Sequence, residues 1–235
     1  MSVLTGITVS SSSQQRLVHR QTFAEPVVSE SVEEMSVDGG KVRLRTEKGK
    51  PCEWRDYKGV RLHEQATNAF YRDNACLSEW VNQQPLRLPL VCLGDGHDGI
   101  WNIYREIATA DGRREILDWY HLVENLGKVG GSQKRLNRAE ALLWKGDIDG
   151  AVAQFDGWQH DRVTRFIGYL NHHRSRIINY DYWQAEGISI GSGAIESTIK
   201  QIGLRIKITG AQWKEENVPQ VLRHRCAYLN GYFSS

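Results

Sequence analysis

The chain has 235 residues, 40% hydrophobic and 25% charged, enough to close one good core, or a core with a small appendage. Thirty Lys and Arg against 28 Asp and Glu leave a formal charge of +2, so no overall field announces or excludes a nucleic-acid partner. Cys52, Cys76, Cys92 and Cys226 are scattered and form no C-x-x-C pair, which argues against a disulfide framework or zinc ribbon; no apolar run reaches the roughly 18 residues of a membrane span, and the expectation is a reduced, cytoplasmic protein.

In chain order, residues 1–30 mix a small apolar patch with a Ser run and read as a disordered leader or as the remnant of an N-terminal DNA-recognition region. In the second case Gly6 makes the turn of a helix-turn-helix, and Ser11 or Ser12 caps a helix running through Arg16, Val18 and His19. From Glu34 the pattern turns to short β-type segments. Met35 to Asp38 and Lys41 to Arg45 flank a Gly39-Gly40 turn, and Cys52 to Tyr57 and Val60 to His63 flank Lys58-Gly59, which predicts a four-strand meander.

A short helix is expected within Phe70 to Val81. Leu88 to Leu93 is a nearly continuous apolar run, the signature of a buried strand, with Pro89 tolerable only near its start. Gly99 to Ala108 reads as a helix, Glu115 to Asp118 as a strand, and Trp119 to Lys128 as a helix with Leu122, Val123 and Leu126 on one face. The stretch from Ser132 to Trp183 is helical throughout, and helices from about Ala194 to Lys207 and Val218 to Tyr228 close the chain. The fold class is α/β.

Asp38 stands before Gly39-Gly40, Asp95 stands before Gly96 just past the apolar run, and Glu196 falls in the first turn of a helix. Carboxylates at strand ends can project into one crevice, and glycines beside them let a phosphate approach the backbone. Three converging carboxylates repel one another without a cation, and an all-oxygen set favours magnesium or manganese. Placement alone leaves the plainer reading open, in which Asp38 is a turn residue, Asp95 a loop residue and Glu196 a first-turn acid favoured by the helix dipole. Asp98 competes with Asp95, but a position inside the next helix suits a cap better than a ligand.

Four stretches carry a resemblance: V-D-G-G-K-V at Val37 to Val42, L-G-D-G-H-D-G-I-W at Leu93 to Trp101, I-L-D-W-Y-H at Ile116 to His121, and I-G-S-G-A-I-E-S with K-x-x-G-x-R-x-K-x-T-G-A-Q-W after it, from Ile190 to Trp213. From about Ser36 onward the chain resembles the Kra-type insertion-sequence transposases, members of the DDE class with a ribonuclease H-like fold. The resemblance implies a mixed sheet flanked by helices. Residues 31–131 are then the first part of the catalytic core, 132–187 an all-helical insertion, and 188–235 the final helices of the core.

The resemblance also implies Asp38, Asp95 and Glu196 as catalytic metal ligands for two Mg2+ or Mn2+ ions about 3.5 to 4 Å apart. It implies Asp118 and His121 as a supporting polar pair, with Asp118 equally able to serve as a helix cap. The expected activity is cleavage at insertion-sequence ends and strand transfer to target DNA by a homo-oligomer assembled on DNA, from a chain that reads as an N-terminally truncated or second-frame copy. A ribonuclease H-like nuclease without strand transfer and a non-catalytic DNA-binding remnant remain as alternatives.

DNA contacts are expected from Lys200, Arg205 and Lys207, with residues 200, 204 and 207 near one helical face, and from Trp213 stacking on a base. Two further basic groups, Lys134 with Arg135 and Arg138, and His172 with His173, Arg174 and Arg176, read as ordinary solvated helix faces.

Overall fold

The computed structural model of the chain describes residues 20–232. The helix-turn-helix expectation for Gly6 to His19 lies outside the described residues. Residues after Arg20 are seated on the fold rather than left as a leader: Val28 is buried, its amide donates to Gln84 Oε1 at 3.0 Å, and the Pro26 carbonyl accepts from the Trp80 indole at 2.9 Å.

Strands β1 (Val32–Leu44), β2 (Glu53–Leu62) and β3 (Ala66–Tyr71) form an antiparallel meander, and β4 (Leu86–Gly94) and β5 (Arg113–Leu117) add parallel strands on the other side of β1. The resulting five-stranded mixed sheet has the order β3-β2-β1-β4-β5. Helices α1 (Asn74–Asn82), α2 (Asp98–Arg105) and α3 (Trp119–Gly127) lie between and after the later strands. Four helices follow: α4 (Gln133–Trp144), α5 (Ile148–Ala153), α6 (Asp161–His172) and α7 (Tyr180–Ala185). The chain closes with α8 (Gly193–Ile206) and α9 (Val218–Leu229).

The four expected meander strands are two. Gly39-Gly40 and Lys58-Gly59 are not turns but interior positions of β1 and β2, paired Asp38 with Gly59, Gly39 with Lys58 and Gly40 with Tyr57. The glycines answer to packing. A Cβ on Gly40 would overlap the Tyr57 ring, and one on Gly59 would overlap the Ile199 side chain on α8. Asp38 consequently lies within a strand rather than past its end. The helix expected from Phe70 begins only at Asn74, because residues 66–71 pair with β2 and Asp73 caps α1 by accepting from the Cys76 amide at 2.9 Å.

β4 is buried only from Leu90 onward, and its pairing with β1 shifts register around Pro89, which has no amide hydrogen to give the ladder. Between β5 and α8 every regular element is helical, as the periodicity predicts.

Two apolar clusters cover the sheet. The larger joins Met35, Val37, Val60, Leu62 and Leu90 to Leu93 with α1 to α3 and with Leu136, Ala139, Phe166 and Leu170 from the helical stretch, so that stretch has no core of its own. The smaller joins Val42, Leu44, Tyr57 and Ala69 to Ile195, Ile199, Ile202 and Ile206 of α8 and to Val218 and Leu222 of α9. Side chains alternate along a strand, so residues 38, 40, 42 and 44 of β1 share the face that α8 covers, and Asp38 points to that side. All four cysteines are free, and among the described residues no helix is long and apolar enough to cross a membrane.

Candidate active site

β1 carries Asp38 on the face covered by α8, and the glycine opposite it, Gly59, is where Ile199 seats. Close approach of α8 at Gly59 brings Glu196, one turn before Ile199, toward Asp38. Asp95 leaves the end of β4, the parallel neighbour of β1, and Gly96 turns the chain at φ +98° so that His97 caps α2. The Asp95 Oδ1 accepts from the His97 amide at 2.8 Å. Asp98 faces elsewhere: it lies in the first turn of α2, where His97 rather than Asp98 is the cap, and its side chain is 75% exposed and bonded to His172 Nε2 at 3.0 Å.

Asp38 registers both of the other carboxylates. Burial raises the Asp38 carboxyl above its ordinary range, and the negative charges of Asp95 and Glu196 push in the same direction against the Gly39 amide and Lys58. Lys58 had no signal in the sequence beyond its place in an apparent turn; pairing with Gly39 puts its ammonium beside the site.

Asp118 is fully buried and is the helix cap its sequence context allowed. It caps α3 by accepting from the His121 amide at 2.9 Å, and its other oxygen accepts from the Ser192 hydroxyl at 2.5 Å and from the Ser192 amide. Burial pushes this carboxyl up, but these bonds outweigh it and hold Asp118 below its ordinary value. His121 Nδ1 stands 3.5 Å from Asp118 and 4.0 Å from Glu196. The Asp118 carboxylate pushes the imidazole up to about 9, with Asp95 and Glu196 adding to the effect, so His121 is a cation at neutral pH.

Asp118, His121 and Glu196 each place a ligand atom within 4.8 Å of the others, the one such group among the described residues. Glu196 is common to this group and to the expected acidic trio, whereas Asp38 and Asp95 are not part of it; the group could hold a metal ion once His121 gives up its proton, and the cations nearest these carboxylates are His121, Lys58 and Lys200.

The expected DNA-contact residues fall in three different situations. Lys200 is 77% exposed and lies 3.8 Å from Glu196 one turn earlier on α8. Arg205 and Lys207 are exposed near the end of α8, with Leu204 between them and Lys200 on the same exposed surface. Trp213 packs against the smaller apolar cluster, donates its indole N–H to the Ile206 carbonyl at 2.9 Å and bridges Leu44, so its ring is tied to the fold.

The segment from His172 to Arg176 is not a solvated basic face. Arg174 pairs with Asp149, Arg176 with Glu115 at 2.6 Å, and His173 is buried against Trp101 and Tyr169. Burial, with the neighbouring charges of His172 and Arg176, pushes His173 down to about 4, so it is neutral in the fold. An unfolded histidine takes up its proton near pH 6.5, so this contribution is complete above that pH and is lost as pH falls toward 4. Urea denaturation from pH 7 to pH 4 should show about 3 kcal/mol of stability lost through this group, and His173→Gln should flatten that part of the profile.

No protein-family model matches the chain, and no curated protein matches it.

Proposed function

We propose that the chain is a DNA transposase of the DDE class with a ribonuclease H-like core, using Asp38, Asp95 and Glu196 to cut the ends of a mobile element and join them to target DNA. The observation that carries the reading is the placement of three carboxylates on a central strand, at the end of its parallel neighbour and in the first turn of the helix across them, with Asp38 raised by burial and further by the charges of the other two. The strand order β3-β2-β1-β4-β5, antiparallel then parallel, supports the fold assignment, and the helical stretch between Asp95 and Glu196 supports the family resemblance.

Asp38, Asp95 and Glu196 would hold Mg2+ or Mn2+, two ions in the full reading, which when bound supply charge neutralisation at the phosphate and a more acidic attacking oxygen. The residues of the chain orient the rest. Asp118 accepts from the His121 amide on α3 and from Ser192 at the start of α8, which ties the helix turns that present His121 and Glu196 to each other. Lys58 and Lys200 flank the carboxylates as cations for phosphate oxygens.

In the first step water attacks the phosphodiester and the 3′-oxygen leaves as a hydroxyl. In the second that hydroxyl attacks a target phosphodiester, giving up its proton, and the target's own 3′-oxygen leaves; no bond to the protein is made. Arg205 and Lys207 belong to the same reading as contacts to the DNA beyond Lys200, while Trp213 serves the fold, and joining two ends calls for at least two copies of the chain on DNA.

The test is cleavage and joining of a labelled duplex bearing the element's ends, in magnesium or manganese, by the chain and by its Asp95→Ala variant. Metal-dependent joining lost in the variant is the expected result. Nicking without joining would replace the transposase with a nuclease, and DNA binding without either reaction would leave a non-catalytic remnant.

A further inference from the structure

Beside the acidic centre, between α3 and α6, lies a cleft of about 520 Å³ lined by Asn125, Lys128, Arg162, Arg165 and Tyr169. Its charge is one-sided. Lys128 is paired with Glu124 at 3.0 Å, but among the described residues no carboxylate lies within ion-pair distance of Arg162 or Arg165. Two like charges on neighbouring turns of one helix repel, a cost that an anionic partner removes.

The cleft joins the acidic centre at two points. A Cβ on Gly96, the residue after Asp95, would stand 3.1 Å from the Tyr169 hydroxyl, so the tyrosine walls both spaces. Asn125 donates to the His121 carbonyl at 2.8 Å, so the turn of α3 that presents His121 also lines the cleft.

We propose that this cleft is the track for the DNA strand leaving the acidic centre, with Arg162 and Arg165 holding the backbone phosphates next to the one that is cut. The proposal rests on the DNA-cleaving reading of the centre and adds a place for the substrate that the centre alone does not provide. Guanidinium groups suit phosphate through paired N–H donors, and a cleft whose charged groups are all cations, set on an apolar floor of Val129 and Phe166, reads backbone rather than base sequence. The helices between Asp95 and Glu196 thereby gain a task, since α6 supplies both arginines and Tyr169.

The experiment is fluorescence-anisotropy binding of a labelled mixed-sequence duplex across a salt series, in calcium to prevent cutting. It compares the whole chain, an Arg162→Gln/Arg165→Gln variant and a Lys50→Gln/Arg87→Gln variant that removes the same charge outside the cleft, with circular dichroism checking that each is folded. Each phosphate contact contributes a salt slope of about 0.9, so the cleft variant should bind about tenfold more weakly with a slope shallower by about 2, while the other pair changes far less.

Equal losses in both variants, or none in the cleft variant, would overturn the cleft assignment and leave the acidic centre's reading intact. Failure of the unsubstituted chain to bind DNA at low salt would overturn both.

Discussion

Asp38→Asn should make the metal-free protein more stable while removing its metal-dependent chemistry. The Asp38 carboxyl is raised by burial and by the charges of Asp95 and Glu196, so ionising it at neutral pH works against the fold, and an amide of the same shape relieves that repulsion. Thermal unfolding without divalent metal should therefore shift upward. Added magnesium should raise the Tm of the unsubstituted chain by mass action and leave that of the variant nearly unmoved.

In the cleavage assay the same substitution should cost on the order of a thousandfold, the scale of losing one preorganised charge in a water-excluded site. The opposite pattern, a variant of lower Tm that still responds to magnesium, would make Asp38 a structural carboxylate and remove it from the centre.

The second large effect is on stability. Asp118→Ala deletes a fully buried carboxylate that accepts from the His121 amide and from the Ser192 amide and hydroxyl, leaving three donors without partners. Losing a buried charged acceptor of this kind costs about 3 kcal/mol, which for a chain of this size lowers Tm by about 10 °C. Asp118→Asn keeps one acceptor oxygen and should recover part of the loss.

Asp118 also ties the start of α8 to α3, so isothermal titration should show divalent-metal affinity falling by about 10- to 100-fold in the Asn variant. Unchanged affinity in a folded variant would separate the cap from the centre. His121 reports the same change directly: without the Asp118 carboxylate its ring should titrate well below its present value of about 9, a shift readable by NMR.

The sequence was legible where one local rule dominated. The apolar run ending at Gly94 gave β4 and the placement of Asp95, and helical periodicity gave α2, α3, α8 and α9 to within a few residues. Preference for Asp95 over Asp98 followed from the same logic and agrees with the exposed, His172-bonded position of Asp98.

Legibility failed where glycine has two meanings. Gly39-Gly40 and Lys58-Gly59 look like turns in a linear reading, yet they are places where Tyr57 and Ile199 lie against the backbone, which only the three-dimensional partner reveals. The same blindness hid Lys58 beside Asp38, Ser192 under Asp118, and the arginine cleft. Arg162 and Arg165 are unremarkable helix residues until α3 is set against them. Charge runs misled in the other direction, since Arg174 and Arg176 are spent on Asp149 and Glu115.

The division of the core into two clusters bears on the order in which a growing polypeptide brings its acidic residues together. All of the larger cluster is encoded before residue 191, so one side of the sheet can consolidate during synthesis with Asp38 and Asp95 already made. The smaller cluster needs α8 and α9, and the Leu44 to Trp213 bridge fastens the segment between them to β1. Glu196 is thus the last of the three acids to be made, and a nascent chain holds an incomplete acidic set until α8 has emerged.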